Sequence, residues 1–224
     1  MKLAILGTGM VGRTIAARLA TLGHEVALGT RDPNASRARP APAGGQTLAD
    51  WLAANPTVAL MRFDDAARFG DMVLAALSGG GAVETLGAAA SGIGAKILVD
   101  ITNPLDFSRG MPPSLFVSNT DSLAEAIQRA LPDARLVKTL NTVNANVMVE
   151  PGLVKGGEHT MFVCGNDPAA RAEVADFLRT QFGWTDVMDL GDLTAARGME
   201  AALHLWLKLW GAIGTPVFGI KVVR

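Results

Sequence analysis

The residues best suited to chemistry stand at the very start of the chain. Gly7-Thr8-Gly9-Met10-Val11-Gly12 follows an apolar segment at 2–6 and precedes a helical pattern over 13–22. In such a unit Gly7 permits a tight turn and Gly9 lets the backbone approach a pyrophosphate. Gly12 lets the helix lie close to the strand, and the helix N-terminus faces the phosphates with free N–H groups and its positive dipole end. The pattern alone is weak, but here three context conditions hold: a strand before, an amphipathic helix after, and a second strand at 25–29. Eighteen residues after Gly12, where an NAD enzyme carries an acidic group for the ribose 2′-hydroxyl, the chain has Thr30-Arg31. An acid there would repel a 2′-phosphate, whereas a hydroxyl followed by Arg offers it a planar fork of donors. These residues imply an NADP(H) site. Asp32 precedes Pro33 and reads as a turn or helix N-cap rather than as the ribose acid.

The elements that must position this site alternate between strand and helix. Val11, Ile15, Leu19 and Leu22 share one face of the first helix, and Gly23 stops it. Further strands are predicted at 72–77, 96–101, 136–140, 160–164 and 185–190. Helices are predicted at 82–90, from a Ser122/Glu125 capping box to about 131, from an Asn166-Asp167-Pro168 start to about 182, and over 193–210. Residues 105–120 form a long connection with Pro112-Pro113, and 37–45 a flexible Ala/Pro/Gly loop. This order predicts an α/β fold: a Rossmann-type, doubly wound, mostly parallel sheet with a small C-terminal lobe. The expected division is 1–145 for the nucleotide domain and 146–224 for the lobe.

In such a sheet, ligands bind beyond the C-terminal strand ends. Those ends carry Leu77-Ser78-Gly79, Thr102-Asn103-Pro104 and Asn141-Thr142-Val143-Asn144 besides the glycine turn and Thr30-Arg31. Asn103-Pro104 either faces a nicotinamide or simply ends a strand. Asn141, Thr142 and Asn144 either line a second ligand pocket or cap a loop. No Ser/His/Asp set, Cys/His set or Lys/Glu pair is expected at these positions, and the chain has no tyrosine. A hydride transfer without a strong side-chain acid favours an acceptor such as a flavin or deazaflavin. Arg197 and Glu200, three apart on the last helix, read as an ion pair or as ligand contacts. Trp206 and Trp210 read as core or dimer packing, so a homodimer through this helix is an expectation.

Composition narrows the class. There are 224 residues, 49% of them hydrophobic, with a formal net charge of −1, which suits one large domain or a domain with a small lobe and points away from nucleic acid. The lone Cys164 lies in an apolar run and reads as a buried structural thiol in a reducing compartment. The three histidines have no ligand spacing, so no metal is expected. No leader is expected before the cofactor strand, and no apolar run is long enough to span a membrane. A cytoplasmic enzyme acting on small molecules is expected.

The opening MKLAILGTGMVGRTIAARLATLGHEVALGTRD resembles the F420-dependent NADP oxidoreductases. So do Lys138-Thr139-Leu140-Asn141-Thr142, Val163-Cys164-Gly165-Asn166-Asp167, Asp189-Leu190-Gly191 and Phe218-Gly219-Ile220-Lys221, over nearly the whole chain. The resemblance implies direct hydride passage between NADP(H) and the deazaflavin coenzyme F420, with catalysis by positioning and no catalytic side chain. It implies that Thr8, Met10 and Val11 hold the pyrophosphate with the glycines, and that Thr30 and Arg31 hold the 2′-phosphate. Leu77, Ser78 and Asn103 would flank the nicotinamide, with Asn141, Val143 and the C-terminal segment facing the deazaflavin. One departure is Asn141, where archaeal members carry histidine. Membrane ferric reductases use a similar cytosolic domain with flavin. An NADPH-dependent reductase of a flavin or other small acceptor, and a non-catalytic NADP(H)-binding module, are the competing readings.

Overall fold

A computed structural model describes residues 1–41 and 44–223. Pro42 and Ala43 of the expected 37–45 loop, and Arg224 of the tail, lie outside the described residues. The strands are β1 (Lys2–Leu6), β2 (Glu25–Thr30), β3 (Val58–Arg62), β4 (Met72–Ala75), β5 (Ile97–Asp100), β6 (Leu105–Asp106), β7 (Ser114–Leu115), β8 (Arg135–Thr139), β9 (Thr160–Cys164) and β10 (Asp186–Asp189). The helices are α1 (Met10–Thr21), α2 (Pro33–Ala38), α3 (Leu48–Ala54), α4 (Phe63–Phe69), α5 (Ala82–Ala88), α6 (Ala90–Ile93), α7 (Leu123–Ala130), α8 (Ala145–Val149), α9 (Pro168–Phe177) and α10 (Ala196–Ile213).

Eight strands form one sheet in the order β10-β9-β8-β5-β4-β1-β2-β3. Neighbours pair in parallel except β8 and β9, where Lys138 faces Cys164 and Thr139 faces Val163 in antiparallel register. The chain leaves β1 towards β2 and returns to β4 on its other side, so strand order reverses between β1 and β4. That is the switch point at which doubly wound sheets open a ligand crevice. The fold class agrees with the expectation from sequence. The sheet runs unbroken across residue 145, since β9 and β10 extend it.

Two apolar layers cover the sheet. Ile15, Leu19, Leu74, Val137, Val163 and Trp184 lie in one, and Ala66, Leu86, Leu98, Ile127, Leu136 and Met199 in the other. The strand β3, the helices α3, α4 and α8, and the short antiparallel pair of β6 and β7 had no counterpart in the sequence reading. β3 is an edge strand that runs directly into α4 at Arg62–Phe63 without an intervening Gly or Pro. The α3 start did carry a signal: Thr47 Oγ1 accepts from the Asp50 N–H at 3.0 Å, a capping arrangement legible as Thr-x-x-Asp. The last helix runs three residues beyond the predicted end, to Ile213, and Gly214 then adopts φ +80°.

Candidate active site

The glycine turn is built as the local chemistry requires. Gly7 has φ +129° and its N–H donates to the Gly29 carbonyl at 3.0 Å, which ties the turn to β2. A Cβ on Gly12 would overlap the Gly7 carbonyl oxygen, so α1 can start this close to β1 only without one. Gly9 is different. A Cβ there would meet nothing within 4 Å, and its φ of −74° suits any residue. Packing therefore does not explain Gly9, and the space beside it stands open. Gly9→Ala is expected to fold normally and weaken NADPH binding by at least about tenfold, roughly 1.4 kcal/mol. Gly12→Ala is expected to cost roughly 1–3 kcal/mol of stability through overpacking. Thermal melts beside fluorescence titration with NADPH separate the two, and a matched loss of stability in both variants would contradict this division.

A cleft of about 390 Å³ opens beside this turn, lined by Gly7, Thr8, Gly9, Thr30, Arg31, Leu77 and Ser78, and by Arg39, Phe63, Ala76, Gly81 and Thr85. Seven of the sequence-derived positions thus share one wall. The Thr30 hydroxyl is nearly buried and shares a 2.6 Å hydrogen bond with Ser36 Oγ, which leaves Arg31 as the charged group at the β2 end. Asp32 caps α2, accepting from the N–H groups of Asn34 and Ala35 at 2.9 and 3.1 Å. Arg39, absent from the sequence reading, stands between this cleft and an adjoining one of about 430 Å³ lined also by Arg13, Gln46 and Leu48. Its signal in the sequence was only its place eight residues beyond Arg31. A larger cavity of about 450 Å³ lies at the N-terminal end of β8, around Arg135 and Asp167. It is remote from the switch point, so volume alone does not mark the site.

The remaining predicted positions lie elsewhere. Met10 is exposed, Val11 packs on the core beneath α1, and Gly12 is enclosed. Pro104 is buried, with its carbonyl accepting from the Phe116 N–H at 3.0 Å, and Val143 is a core residue beside Val147 and Met148. Asn103 connects to the cleft by a close approach: a Cβ on Gly79 would overlap the Asn103 carbonyl oxygen, so the loops after β4 and β5 touch. Asn103 in turn meets Asn141. Asn141 Nδ2 donates to Asn103 Oδ1 at 3.0 Å and to the Met199 carbonyl of α10 at 3.0 Å, while Asn103 Nδ2 donates to the Asn141 carbonyl at 3.2 Å. Leu140, just before, is held at φ +63°, a conformation L-residues rarely adopt.

Beneath this amide pair sits a cluster of charges the sequence reading did not foresee. Lys138 Nζ lies 2.9 Å from Asp100 Oδ2, 3.0 Å from Glu200 Oε1 and 2.5 Å from the Thr102 carbonyl, and all three ionisable side chains are shut off from solvent. A Lys/Glu pair therefore does exist near the strand ends, contrary to expectation, but it touches no cleft. Glu200 pairs with Lys138 and not with Arg197, and it accepts from the N–H groups of Leu123 and Ala124 at the start of α7. Arg197 instead grips Glu125 at 2.6 and 2.9 Å, and that guanidinium holds the Glu125 carboxyl below the usual carboxylate range. Three residues along α10 turn the two side chains towards different partners.

Burial alone would push Lys138 down, but the Asp100 and Glu200 carboxylates more than offset this and leave it raised. Burial also pushes the Cys164 thiol up, from 9.0 to about 12, in a pocket where its Sγ lies 3.6 Å from Met199 Sδ. Both groups are more basic folded than unfolded. Their contributions are whole below 9.0 for the thiol and 10.5 for the amine, and are lost as pH rises above those values. Urea midpoints are expected to be flat from pH 7 to 8.5 and to fall beyond 9. A thiol reagent at pH 8 should modify Cys164 only on unfolding. A midpoint that rises with pH above 9 would contradict this linkage.

Fold and site together define a dinucleotide-binding α/β oxidoreductase. The chain belongs to the F420-dependent NADP oxidoreductase family: the family described as NADP oxidoreductase, coenzyme F420-dependent, matches residues 2–104. A solved structure from Arthrobacter sp. FB24, provisionally named an F420-dependent NADP-reductase, is 52% identical, covers 100% of both chains and superposes with a TM-score of 0.94. The F420-dependent NADP reductase of Methanocaldococcus jannaschii is 29% identical over 100% of this chain and 99% of its own length. The metalloreductase STEAP3 of Rattus norvegicus is 27% identical over 93% of this chain, which spans only 38% of that protein. No helix among the described residues is long and apolar enough to cross a membrane.

Proposed function

We propose that this chain catalyses direct hydride transfer between NADP(H) and coenzyme F420 by positioning the two against each other in the cytoplasm. The observation that carries this reading is the continuous run of site groups: phosphate cleft, Leu77-Ser78, Gly79 against Asn103, Asn103 against Asn141, and Asn141 against α10. Gly7, Gly9, Thr8 and the α1 N-terminus would receive the pyrophosphate, with Met10, Val11 and Gly12 completing that turn. Arg31 and Arg39 would take the 2′-phosphate, with Thr30 beneath them. Leu77, Ser78, Asn103 and Pro104 would border the nicotinamide. Asn141, Val143 and the C-terminal segment would border the acceptor, so that residues 146–224 complete a cleft founded on 1–145. The tail's part is supported by its tie to β9, where the Thr160 N–H, at the end nearest these loops, donates to the Ile220 carbonyl at 2.9 Å. When both are bound, NADPH would supply the hydride and the deazaflavin would take it up with a proton from water. The protein's contribution is proximity and orientation, which fits a cleft lined by no lysine or carboxylate among the described residues, with Lys138, Asp100 and Glu200 sealed below it.

The deciding experiment is anaerobic mixing with NADP+ and reduced F420, following the oxidised deazaflavin band. Appearance of that band together with NADPH supports the reading. Turnover with FMN or FAD but not F420 would move the acceptor to a flavin, and NADPH binding without turnover would leave a binding module. Within the reading, Asn141→Ala is expected to raise the acceptor KM roughly tenfold, the worth of one hydrogen bond at about 1.4 kcal/mol, with less effect on NADPH. The reverse pattern in steady-state kinetics would take Asn141 out of the acceptor pocket. A homodimer through α10 belongs to the same proposal, supported by the exposed Leu205, Trp210 and Ile213. Sedimentation at the mass of one chain would remove it.

A further inference from the structure

The sealed charges under the site call for a role. Lys138 spends its three N–H donors on Asp100, Glu200 and the Thr102 carbonyl, so it has none to offer a ligand. Acid–base duty is therefore closed to it. The contacts instead close a circuit. Asp100 Oδ1 accepts from the Thr102 N–H at 2.9 Å and its hydroxyl at 2.7 Å; Thr102 leads to Asn103; Asn103 bonds Asn141; Asn141 bonds the Met199 carbonyl; and Glu200, the next residue, returns to Lys138. Four segments of chain meet in this ring: the ends of β5 and β8, the start of α7 and the second turn of α10.

We infer that Lys138, with Asp100 and Glu200, is a positioning residue that locks the Asn103–Asn141 amide pair in place for hydride transfer. This rests on the proposed function for its catalytic consequence, but not for the ring itself. Every polar side-chain atom of the ring has a partner among the described residues except one. Asn141 Oδ1 is enclosed and without a hydrogen-bond partner among the described residues. Because both Asn141 Nδ2 protons are committed within the ring, the amide cannot turn to satisfy that oxygen. The ring thereby fixes the orientation of both amides directly beside Leu140, whose φ of +63° L-residues rarely adopt. A loose amide would reorient and lose this alignment, and displacements of about 1 Å at such sites cost roughly a hundredfold in rate.

Glu200→Gln is the mild disruption, since its new amide N–H would confront Lys138 or a backbone N–H; Lys138→Met is the severe one. Two readouts are needed. The first is hydrogen exchange of the Asn141 side-chain amide, followed by nuclear magnetic resonance in the absence of any substrate. Protection in the parent protein and exchange at least about tenfold faster in Glu200→Gln is expected. The second is kcat per NADPH-binding site, counted by fluorescence titration so that unfolded protein drops out. A fall of roughly tenfold to a hundredfold with NADPH affinity held within about twofold is expected. Trp184→Phe, which removes a buried indole bond to the Met148 carbonyl, a group outside the ring, is the control for stability alone. It should lower the melting temperature and leave kcat per site intact. Unchanged amide exchange in Glu200→Gln, or a kcat loss matched by Trp184→Phe, overturns the inference. If the parent protein fails to reduce F420 while the Asn141 amide is protected by the ring, the proposed function fails and the ring stands.

Discussion

Arg31→Ala is expected to raise the NADPH dissociation constant roughly 10- to 150-fold while changing NADH affinity less than about twofold, because a hydrogen bond to a charged group is worth about 1.5–3 kcal/mol. The asymmetry is the point. Arg31 lies at the end of β2, exposed, and no hydrogen bond or ion pair holds it among the described residues. Its removal disturbs no core contact, so the loss should follow the one group that distinguishes the two cofactors. Arg39 borders the same cleft and is equally unpartnered among the described residues. The double variant Arg31→Ala/Arg39→Ala should lose more NADPH affinity than either alone and still bind NADH. Parallel titrations with both nucleotides test this, and equal losses would sink the 2′-phosphate assignment. Both effects should shrink with added salt, as expected for exposed charges.

Lys138→Met is expected to destabilise the fold by about 3–5 kcal/mol, since it leaves two carboxylates buried without their cation. For a chain of this size that corresponds to a melting temperature lower by roughly 6–20 °C. Buried ion pairs can often be exchanged for apolar side chains at no cost, but this one should resist. Asp100 also serves the Thr102 backbone, and Glu200 caps the first N–H groups of α7 from a helix 77 residues away in sequence. Replacing all three side chains by hydrophobic ones would strand those backbone donors, so the triple variant should be less stable than the parent. Differential scanning calorimetry of both variants checks this. A triple variant as stable as the parent would show that the backbone donors find other partners.

Some of this molecule could be read before folding because the information was local. A strand, a glycine turn and a helix N-terminus are contiguous, so Gly7, Gly9 and Gly12 carried their reasons within six residues, and Thr30-Arg31 marks the next strand end. The Asp32 cap and the Ser122 cap are equally local; Ser122 Oγ accepts from the Glu125 N–H at 3.1 Å. The segment 46–70 was harder. β3 passes into α4 with no turn residue between them, and the half-exposed side chains of an edge strand blur its alternation. Arg39 was missed because it closes the short helix α2, whose course brings it back beside Thr8 and Gly9 by a path no spacing rule encodes.

By itself the sequence determined the doubly wound order, the dinucleotide turn and the cation at the β2 end, since each rests on backbone geometry set by neighbours in the chain. Only the tertiary structure decided how the rest of the site is held. Asp100, Lys138 and Glu200 are 38 and 62 residues apart, and Asn103 and Asn141 are 38 apart. Their pairing depends on where β5, β8 and α10 come to lie, and a charge is worth burying only after folding has brought its partners within about 3 Å and removed the water between them.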